Sequence, residues 1–184
     1  MPVNHANGNR MKNVARLLTA AVVAWSAPAA LADIAIAEIL EPAGSEIGAA
    51  SFEQTPTGVL IYVELAGLPP GPHGIHLHAV GSCSPDFTAA TGHINPDGAA
   101  HGLRHPDGPD SGDLPNLYVG GDGVAVAEFF TTRVSVSGRG RGDVPALLDE
   151  DGSALIIHEH RDDHLSQPIG GAGGRIACGV IVRR

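Results

Sequence analysis

Short runs of residues in which apolar and polar side chains alternate, or in which β-branched residues dominate, recur along the chain from residue 34 onward. An alternation with a period of two is typical of β-strands that bury one face. Turn-forming Pro and Gly residues separate the runs, as in residues 69–72. The runs that predict strands are residues 34–39, 49–53, 59–65, 74–80, 124–130, 134–136, 154–158 and 176–182. We therefore predict an all-β antiparallel sandwich or barrel with little helix.

Two polar stretches interrupt this pattern. Residues 81–116 contain no convincing strand, and residues 159–174 form a glycine-rich stretch before the last strand. A structureless stretch as long as the first is usually functional in a compact domain. Its ligand-type side chains are Cys83, His93, His101 and His105. We expect a metal ion and a disulfide to hold this stretch in place.

Residues 1–32 have the features of an export signal. A basic start that contains Lys12 precedes an apolar run over residues 17–25, and Ala30-Leu31-Ala32 has the small-x-small pattern of a cleavage site. The apolar run is much shorter than the ~20 residues that span a bilayer. We therefore predict a periplasmic or secreted protein that has no membrane attachment after cleavage. Its mature part is one domain at residues 33–184.

The composition is acidic, with a formal net charge of −9. Removal of the signal makes the chain more acidic, because it takes away the only lysine, Lys12, and two arginines but no acids. A strongly negative surface repels nucleic acid, so we expect no nucleic-acid partner. Either Met1 or Met11 can be the true start, and the sequence leaves both open.

The chain has two cysteines, Cys83 and Cys178. An even number of cysteines in an exported chain favours a disulfide. The alternative is a pair of thiolate metal ligands, which is less favoured because neither cysteine belongs to a CxxC pair.

The most informative chemistry lies in residues 74–80. His76 and His78 alternate there with Ile75 and Leu77. Because alternate residues of a strand share a face, both imidazoles project together. Neutral imidazole is the commonest metal ligand in proteins, so the pair predicts half of a metal site.

Downstream residues complete two metal sites. The first set is His76, His78, His93 and His158. Four imidazoles favour copper, because Cu(II) stands at the top of the affinity series for nitrogen ligands. The second set is His93, His101, Asp110 and Asp113. Mixed imidazole and carboxylate ligands suit zinc, and a deprotonated His93 has two ring nitrogens with which to serve both ions.

At this point the sequence resembles the Cu,Zn superoxide dismutases over essentially the whole mature chain. The motifs that carry the resemblance are Gly74-Ile75-His76-Leu77-His78, Gly92-His93-Ile94-Asn95-Pro96, Gly112-Asp113-Leu114-Pro115-Asn116, His158-Glu159-His160-Arg161-Asp162-Asp163 and Gly174-Arg175-Ile176-Ala177-Cys178-Gly179-Val180. Together they are specific, although the first alone would be weak. The resemblance implies an immunoglobulin-like Greek-key β-sandwich or flattened barrel with a long metal-binding loop and a second functional loop.

The resemblance also implies roles for single residues. The positions that match copper ligands are His76, His78 and His158. His93 matches an imidazolate that bridges copper and zinc, and takes up a proton when copper is reduced. The positions that match zinc ligands are His101 and Asp113.

Four further positions have counterparts in the family. Cys83 and Cys178 match the disulfide that ties the long loop to the last strand. Arg175 matches an arginine that attracts and orients superoxide beside the copper. Asp162 matches an outer acid that links a copper-ligand histidine to a zinc-ligand histidine.

One zinc position departs from the family pattern. A third zinc histidine usually stands nine residues after the position of His101, where this chain has Asp110. A carboxylate can bind zinc, so we expect Asp110 to complete the site. The alternatives are that His105 takes its place, or that the zinc site is weak or empty.

The function implied is dismutation of two superoxide ions and two protons to dioxygen and hydrogen peroxide, as an antioxidant defence outside the cytoplasm. Copper and zinc would be the cofactors, and Arg175 and His93 the catalytic residues. One alternative is an exported copper-binding protein of the same fold without dismutase activity, and another is a purely structural β-sandwich. A homodimer is compatible with the sequence, which has no surface stretch hydrophobic enough to require one.

The other histidines are expected to bind no metal. We expect His73 at the surface or in a hydrogen bond, and His160 and His164 in contact with solvent. We expect Arg161 to pair with its acidic neighbours rather than to steer substrate.

Overall fold

The computed structural model describes residues 1–2, 33–138 and 143–184. Nearly all of the predicted signal, residues 1–32, lies outside these ranges. The elements are β1 (Ile34–Leu40), β2 (Glu46–Gln54), β3 (Val59–Ala66), β4 (Gly71–His73), β5 (Ile75–His78), a 3-10 turn (Phe87–Ala90), β6 (Leu117–Val119), β7 (Val124–Thr131), β8 (Ser153–His158) and β9 (Arg175–Arg183). Within the described part, no helix has the length and apolar character needed to cross a membrane.

Seven of the strands form one antiparallel sheet in the order β5-β8-β9-β1-β2-β3-β7. The strands β4 and β6 form a separate antiparallel pair. The order differs from the chain order because β8 and β9 insert between β5 and β1, and the sheet curls around its core. This arrangement confirms the predicted all-β fold.

Alternating side chains place the core on the inner face of the sheet. In β3, Val59, Ile61 and Val63 are fully buried, whereas Tyr62 and Glu64 point outward. Successive strand residues face opposite sides of a sheet, so this period of two gives each strand one face for the core.

The strands β5 and β8 are buried on both faces. Ile75 and Leu77 pack into the main core opposite Ile157 and Leu155. The opposite face of β5 carries the histidines of the strand. A long loop, residues 79–116, covers that face, so the histidines are buried although they point away from the core.

Two predicted strands differ from the structure. Residues 134–136 form only an isolated bridge between Ser135 and Ala146. The predicted run 74–80 is shorter as β5, and the separate strand β4 precedes it. The strand β6 was not predicted, because three residues are too few to show a period.

Candidate metal centre

The long loop runs along the open edge of β5. The backbone N–H of Leu77 donates to the carbonyl of Gly112 at 2.9 Å. A side chain at position 112 would overlap the carbonyl of Leu77, so only glycine allows this approach. An isolated backbone bridge also places His93, in the loop, opposite His78 in β5. Backbone pairing thus brings loop residues beside the strand histidines.

A disulfide ties the same loop to β9. It joins Cys83 to Cys178, whose Cα atoms are 5.9 Å apart, a normal separation for a disulfide. The described residues contain no free cysteine. The predicted disulfide is confirmed, and the alternative of two thiolate ligands is wrong.

Four histidine side chains converge under the loop. They are His76, His78, His93 and His158, and their ligand atoms lie within 4.8 Å of one another. The nitrogens that face the centre are Nδ1 of His76 and Nε2 of His78, His93 and His158, all buried without a hydrogen-bond partner. Unpartnered buried nitrogens are costly, and a metal ion among them would remove that cost.

The remaining nitrogen of each ring is anchored. The anchoring pairs are His76 Nε2 with Asp162 Oδ2 at 2.9 Å, His78 Nδ1 with Thr91 O at 2.9 Å, His93 Nδ1 with Asp110 Oδ2 at 2.9 Å, and His158 Nδ1 with Gly173 O at 3.1 Å. Carbonyl and carboxylate oxygens only accept hydrogen bonds, so in the metal-free protein the anchored nitrogen carries the hydrogen. In a neutral ring the central nitrogen then presents its lone pair to a metal.

Burial keeps three of these rings neutral. It lowers the pKa of His76 to about 3 and that of His158 to about 4. Burial also lowers the pKa of His78 well below its usual value. Because neutral imidazole is the form that binds metals, these rings are ready to act as ligands near pH 7.

A second cluster adjoins the first and shares His93. Its members are His93, His101, Asp110 and Asp113, with ligand atoms again within 4.8 Å of one another. Nδ1 of His101 lies 2.6 Å from Oδ1 of Asp113. His93 lies between the two clusters. Its Nε2 faces the four-histidine cluster, and its Nδ1 faces the carboxylates of the mixed cluster. A ligand shared by two metal ions needs its ring nitrogens placed in this way.

Carboxylates make the mixed cluster attractive to cations. Burial acts to lower the pKa of His101, but hydrogen bonds and charge from Asp113 and Asp162 raise that pKa to about 10. The pKa of His93 is likewise raised, against burial, by Asp110 and Asp113. A site that holds protons this firmly between carboxylates would also attract a divalent cation.

Asp162 links the two clusters from behind. Its fully buried carboxylate lies 2.9 Å from His76 Nε2 and 3.1 Å from His101 Nε2. The amide of Asn116 holds the backbone of Asp162, donating to its carbonyl at 2.9 Å and accepting from its N–H at 2.8 Å. The sequence indicated Asp162 but not Asn116, which appeared there only as the end of a motif.

A cavity of about 630 Å³ opens onto both clusters. His78, His93 and Arg175 contribute to its wall, and among the described lining residues Arg175 is the only lysine or arginine. The guanidinium donates to the carbonyls of Phe87 and Thr91, so the long loop fixes its position. A larger cavity of about 720 Å³ lies beside the disulfide, and its described wall includes no histidine.

The structure separates the two residues considered for the fourth zinc position. Asp110 is buried in the mixed cluster, whereas His105 is half-buried outside both clusters and accepts a hydrogen bond from the N–H of Asp107 at 3.1 Å. His73 is only 3% exposed, with both ring nitrogens 2.8 Å from backbone carbonyls. Of the two expectations for His73, the hydrogen bond is right and the surface position is wrong.

Three residues of the second loop, residues 159–174, test the remaining expectations. His160 is exposed, as expected. The expectation that His164 contacts solvent is wrong, because its side chain is only 13% exposed and its Nε2 lies 2.9 Å from the amide of Asn116. The expected pairing of Arg161 with its acidic neighbours is wrong, since Arg161 is exposed and forms no ion pair with any described residue. The carboxylate of Asp162 points toward the histidines, and that of Asp163 bonds Ser166.

The sequence is similar to those of known proteins. The family described as copper/zinc superoxide dismutase matches residues 46–181. The chain is 49% identical over 140 residues to the Cu-Zn superoxide dismutase of Caulobacter vibrioides. The aligned residues cover 75% of this chain and 79% of that protein. The chain is 39% identical over 173 residues to Cu-Zn superoxide dismutase 2 of Aquifex aeolicus, covering 93% and 99%.

Solved structures have the same fold. A superoxide dismutase-like protein from Bacillus subtilis superposes with a TM-score of 0.74 at 37% identity, over 80% of this chain and 97% of that one. The Cu/Zn superoxide dismutase from Brucella abortus gives a TM-score of 0.66 at 29% identity, over 82% and 100%.

Proposed function

Because the chain belongs to the copper/zinc superoxide dismutase family, we propose that it holds copper in the four-histidine cluster and zinc in the mixed cluster. The protein is an oxidoreductase that converts two superoxide ions and two protons into dioxygen and hydrogen peroxide. The observation that carries the assignment of sites is the convergence of four buried imidazole nitrogens without hydrogen-bond partners.

The proposed copper ligands are Nδ1 of His76 and Nε2 of His78, His93 and His158. Bound copper supplies a one-electron couple that takes an electron from one superoxide and gives it to the next. The protein supplies neutral, buried rings, and the hydrogen bond at the far nitrogen of His76, His78 and His158 sets which nitrogen faces the metal. This donor set fits copper, which prefers imidazole nitrogen.

We assign His93 the transfer of a proton. Its Nδ1 faces the carboxylates of the mixed cluster, and its Nε2 faces the four-histidine cluster. With Nδ1 engaged in the zinc site, Nε2 is the only ring nitrogen that could take up a proton, and it would do so only while it does not bind copper. A proton held there lies beside the cavity in which the peroxide product forms.

Arg175 is proposed to attract and orient superoxide. Its guanidinium is the only permanent cation in the described wall of the cavity, and two backbone carbonyls fix it. The chain as a whole carries a formal charge of −9, which repels an anion. A local positive potential focused by a cleft can outweigh such an unfavourable net charge.

Asp110 is proposed as the fourth zinc ligand. Its Oδ2 lies 2.9 Å from His93 Nδ1, and its Oδ1 accepts a hydrogen bond from the N–H of Gly112 at 2.9 Å. That hydrogen bond directs the other oxygen into the cluster. The site thereby gains a second carboxylate beside Asp113, which makes it harder and more anionic than a site with three histidines.

Substitution of Asp110 by Ala is expected to weaken zinc binding by at least about tenfold, the scale of losing part of a metal's coordination environment. The affinity is measured by competition with a chromophoric zinc chelator. His105→Ala is the matched control and is expected to bind zinc as the wild type does. Unchanged zinc stoichiometry and affinity in Asp110→Ala would remove Asp110 from the site.

The alternative functions make different predictions. An exported copper-binding protein without dismutase activity would take up copper and consume negligible superoxide, and a structural β-sandwich would bind neither metal. The test is the copper and zinc content per chain, measured with superoxide consumption, on residues 33–184. We expect both metals and rapid consumption of superoxide; copper without consumption would favour the binding protein.

We also propose that residues 1–32 are removed on export and that residues 33–184 act in the periplasm or as a secreted protein, without membrane attachment. The basic start, short apolar run and cleavage pattern support this. The disulfide between Cys83 and Cys178 supports it independently, because disulfides persist in oxidising compartments.

We propose a homodimer that uses the outer face of β3 and β7. Three large apolar side chains are exposed there, Tyr62 by 42%, Val126 by 58% and Phe130 by 51%. They share this face with Glu64 and Glu128, which lie opposite Val126 and Tyr62. Exposed large apolar side chains grouped on one face can mark an interface. Sedimentation is expected to give twice the chain mass for the wild type and a monomer for Val126→Glu. A monomeric wild type at micromolar concentration would contradict the proposal.

A further inference from the structure

Gln167 lies in the second loop, and its side chain hydrogen-bonds to the backbone of His101, a histidine of the proposed zinc site. Its Nε2 donates to the carbonyl of His101 at 2.8 Å, and its Oε1 accepts from the N–H of His101 at 2.9 Å. The two residues are 66 positions apart. The donor and the acceptor of the Gln167 side-chain amide thus both bond to one residue of the long loop.

The two loops pack closely at this point. A side chain at Gly102 would overlap the carbonyl of His164, and Gly102 has a φ of 115°, in the region that favours glycine. The same carbonyl of His164 accepts a hydrogen bond from the N–H of Arg104 at 3.0 Å. The contact between the loops therefore extends from His101 to Arg104.

His101 depends on such a contact for its position. It belongs to neither a helix nor a strand, so no ladder of backbone hydrogen bonds fixes its main chain. Its ring has to meet Asp113 through Nδ1 and Asp162 through Nε2 at the same time. The two hydrogen bonds with Gln167 supply the restraint on the main chain that regular structure supplies elsewhere.

Gln167 also stands in the wall of the cavity. Together with Pro168 and Ile169 it lines the same space as His78 and Arg175. The side chain of Gln167 therefore contacts the mixed cluster through His101 and also forms part of the cavity wall beside the four-histidine cluster.

We propose that Gln167 is a positioning residue that holds His101 for zinc and couples zinc binding to the wall of the cavity. The inference rests on the zinc site of the proposed function. Loss of the amide frees the main chain of His101. Zinc binding must then restrain this main chain itself, which weakens the affinity for zinc.

The test compares Gln167→Ala and Gln167→Met with Ser166→Ala. Ser166 is the matched control, because among the described residues its hydroxyl bonds only Asp163 of the same loop, at 2.5 Å. We expect both Gln167 variants to bind zinc about tenfold more weakly in chelator competition, and Ser166→Ala to bind it normally. Methionine keeps the length of the side chain, so equal losses in both variants assign the effect to the hydrogen bonds.

A second readout separates positioning from general destabilisation. In the zinc-bound protein, the N–H of His101 is expected to exchange with deuterium faster in both Gln167 variants, while the visible spectrum of the cupric site is unchanged. Wild-type zinc affinity and wild-type exchange in Gln167→Met would overturn this inference alone. A wild-type chain that binds no zinc would overturn the proposed zinc site and this inference together.

Discussion

Replacement of Arg175 by Glu is expected to slow superoxide consumption by about 10–100-fold at low ionic strength without lowering the copper content. The substitution reverses the one permanent positive charge in the described wall of the cavity. Superoxide is an anion, and the chain carries a formal charge of −9, so the surrounding surface offers no substitute. None of the proposed copper ligands is changed.

The control for this prediction is Arg161→Glu. It makes the same change in net charge on an exposed side chain of the second loop that does not line the cavity. We expect its rate to stay close to that of the wild type. Raising the salt concentration should slow the wild type, because screening weakens attraction between charges, and should slow Arg175→Glu less. Equal rates for Arg175→Glu and the wild type would exclude the steering role.

Removal of the disulfide is expected to lower the free energy of unfolding by about 2–5 kcal/mol. The bond joins residues 95 positions apart, and closing so long a loop limits the unfolded chain strongly. The structure adds a local reason. Cys178 belongs to a small buried cluster with Ala90, Ala154 and Ile156, against which the loop residue Phe87 packs.

Loss of this bond is also expected to reduce activity, because the carbonyls that hold Arg175 and His78 lie in the segment that Cys83 tethers. The measurement is the urea midpoint of Cys83→Ser/Cys178→Ser, with superoxide consumption under native conditions. The wild type treated with a thiol reductant is the matched control and should behave like the double variant. Urea midpoints that coincide for the oxidised wild type and the double variant would contradict this account.

Much of the fold follows from local sequence patterns. The alternation in residues 59–65 predicts β3 almost to its ends, because each buried residue there alternates with an outward one. The strand β6 could not be predicted, since Leu117–Val119 exists through pairing with β4 rather than through its own pattern. The run 134–136 shows the converse, because its apolar residues are buried without a partner strand.

The histidines of the proposed copper site could be predicted, but their anchors could not. His76 and His78 are visible in the sequence because strand geometry puts alternate side chains on one face. Thr91 and Gly173 hold His78 and His158 through backbone carbonyls, which every residue has and no motif records. The role of Gln167 could not be predicted either, since only the packing of two distant loops brings its amide to His101.

The interpretation of His164 shows the same limit. A histidine in a polar loop is reasonably expected in solvent, yet Asn116 and Asp162 cover this one. Its φ of 63° is unusual for a residue other than glycine, and its Nδ1 lies 3.3 Å from Oδ2 of Asp162. Tertiary contacts decided its burial, and the local sequence carried no sign of them.

The most direct test of the whole account is a titration of residues 33–184 with Cu(II), followed by electron paramagnetic resonance. We predict that one equivalent binds tightly, with hyperfine structure from several nitrogen ligands, and that His78→Ala abolishes this signal. A protein that stays colourless, or that gives only the spectrum of hydrated Cu(II), would contradict the proposed copper site.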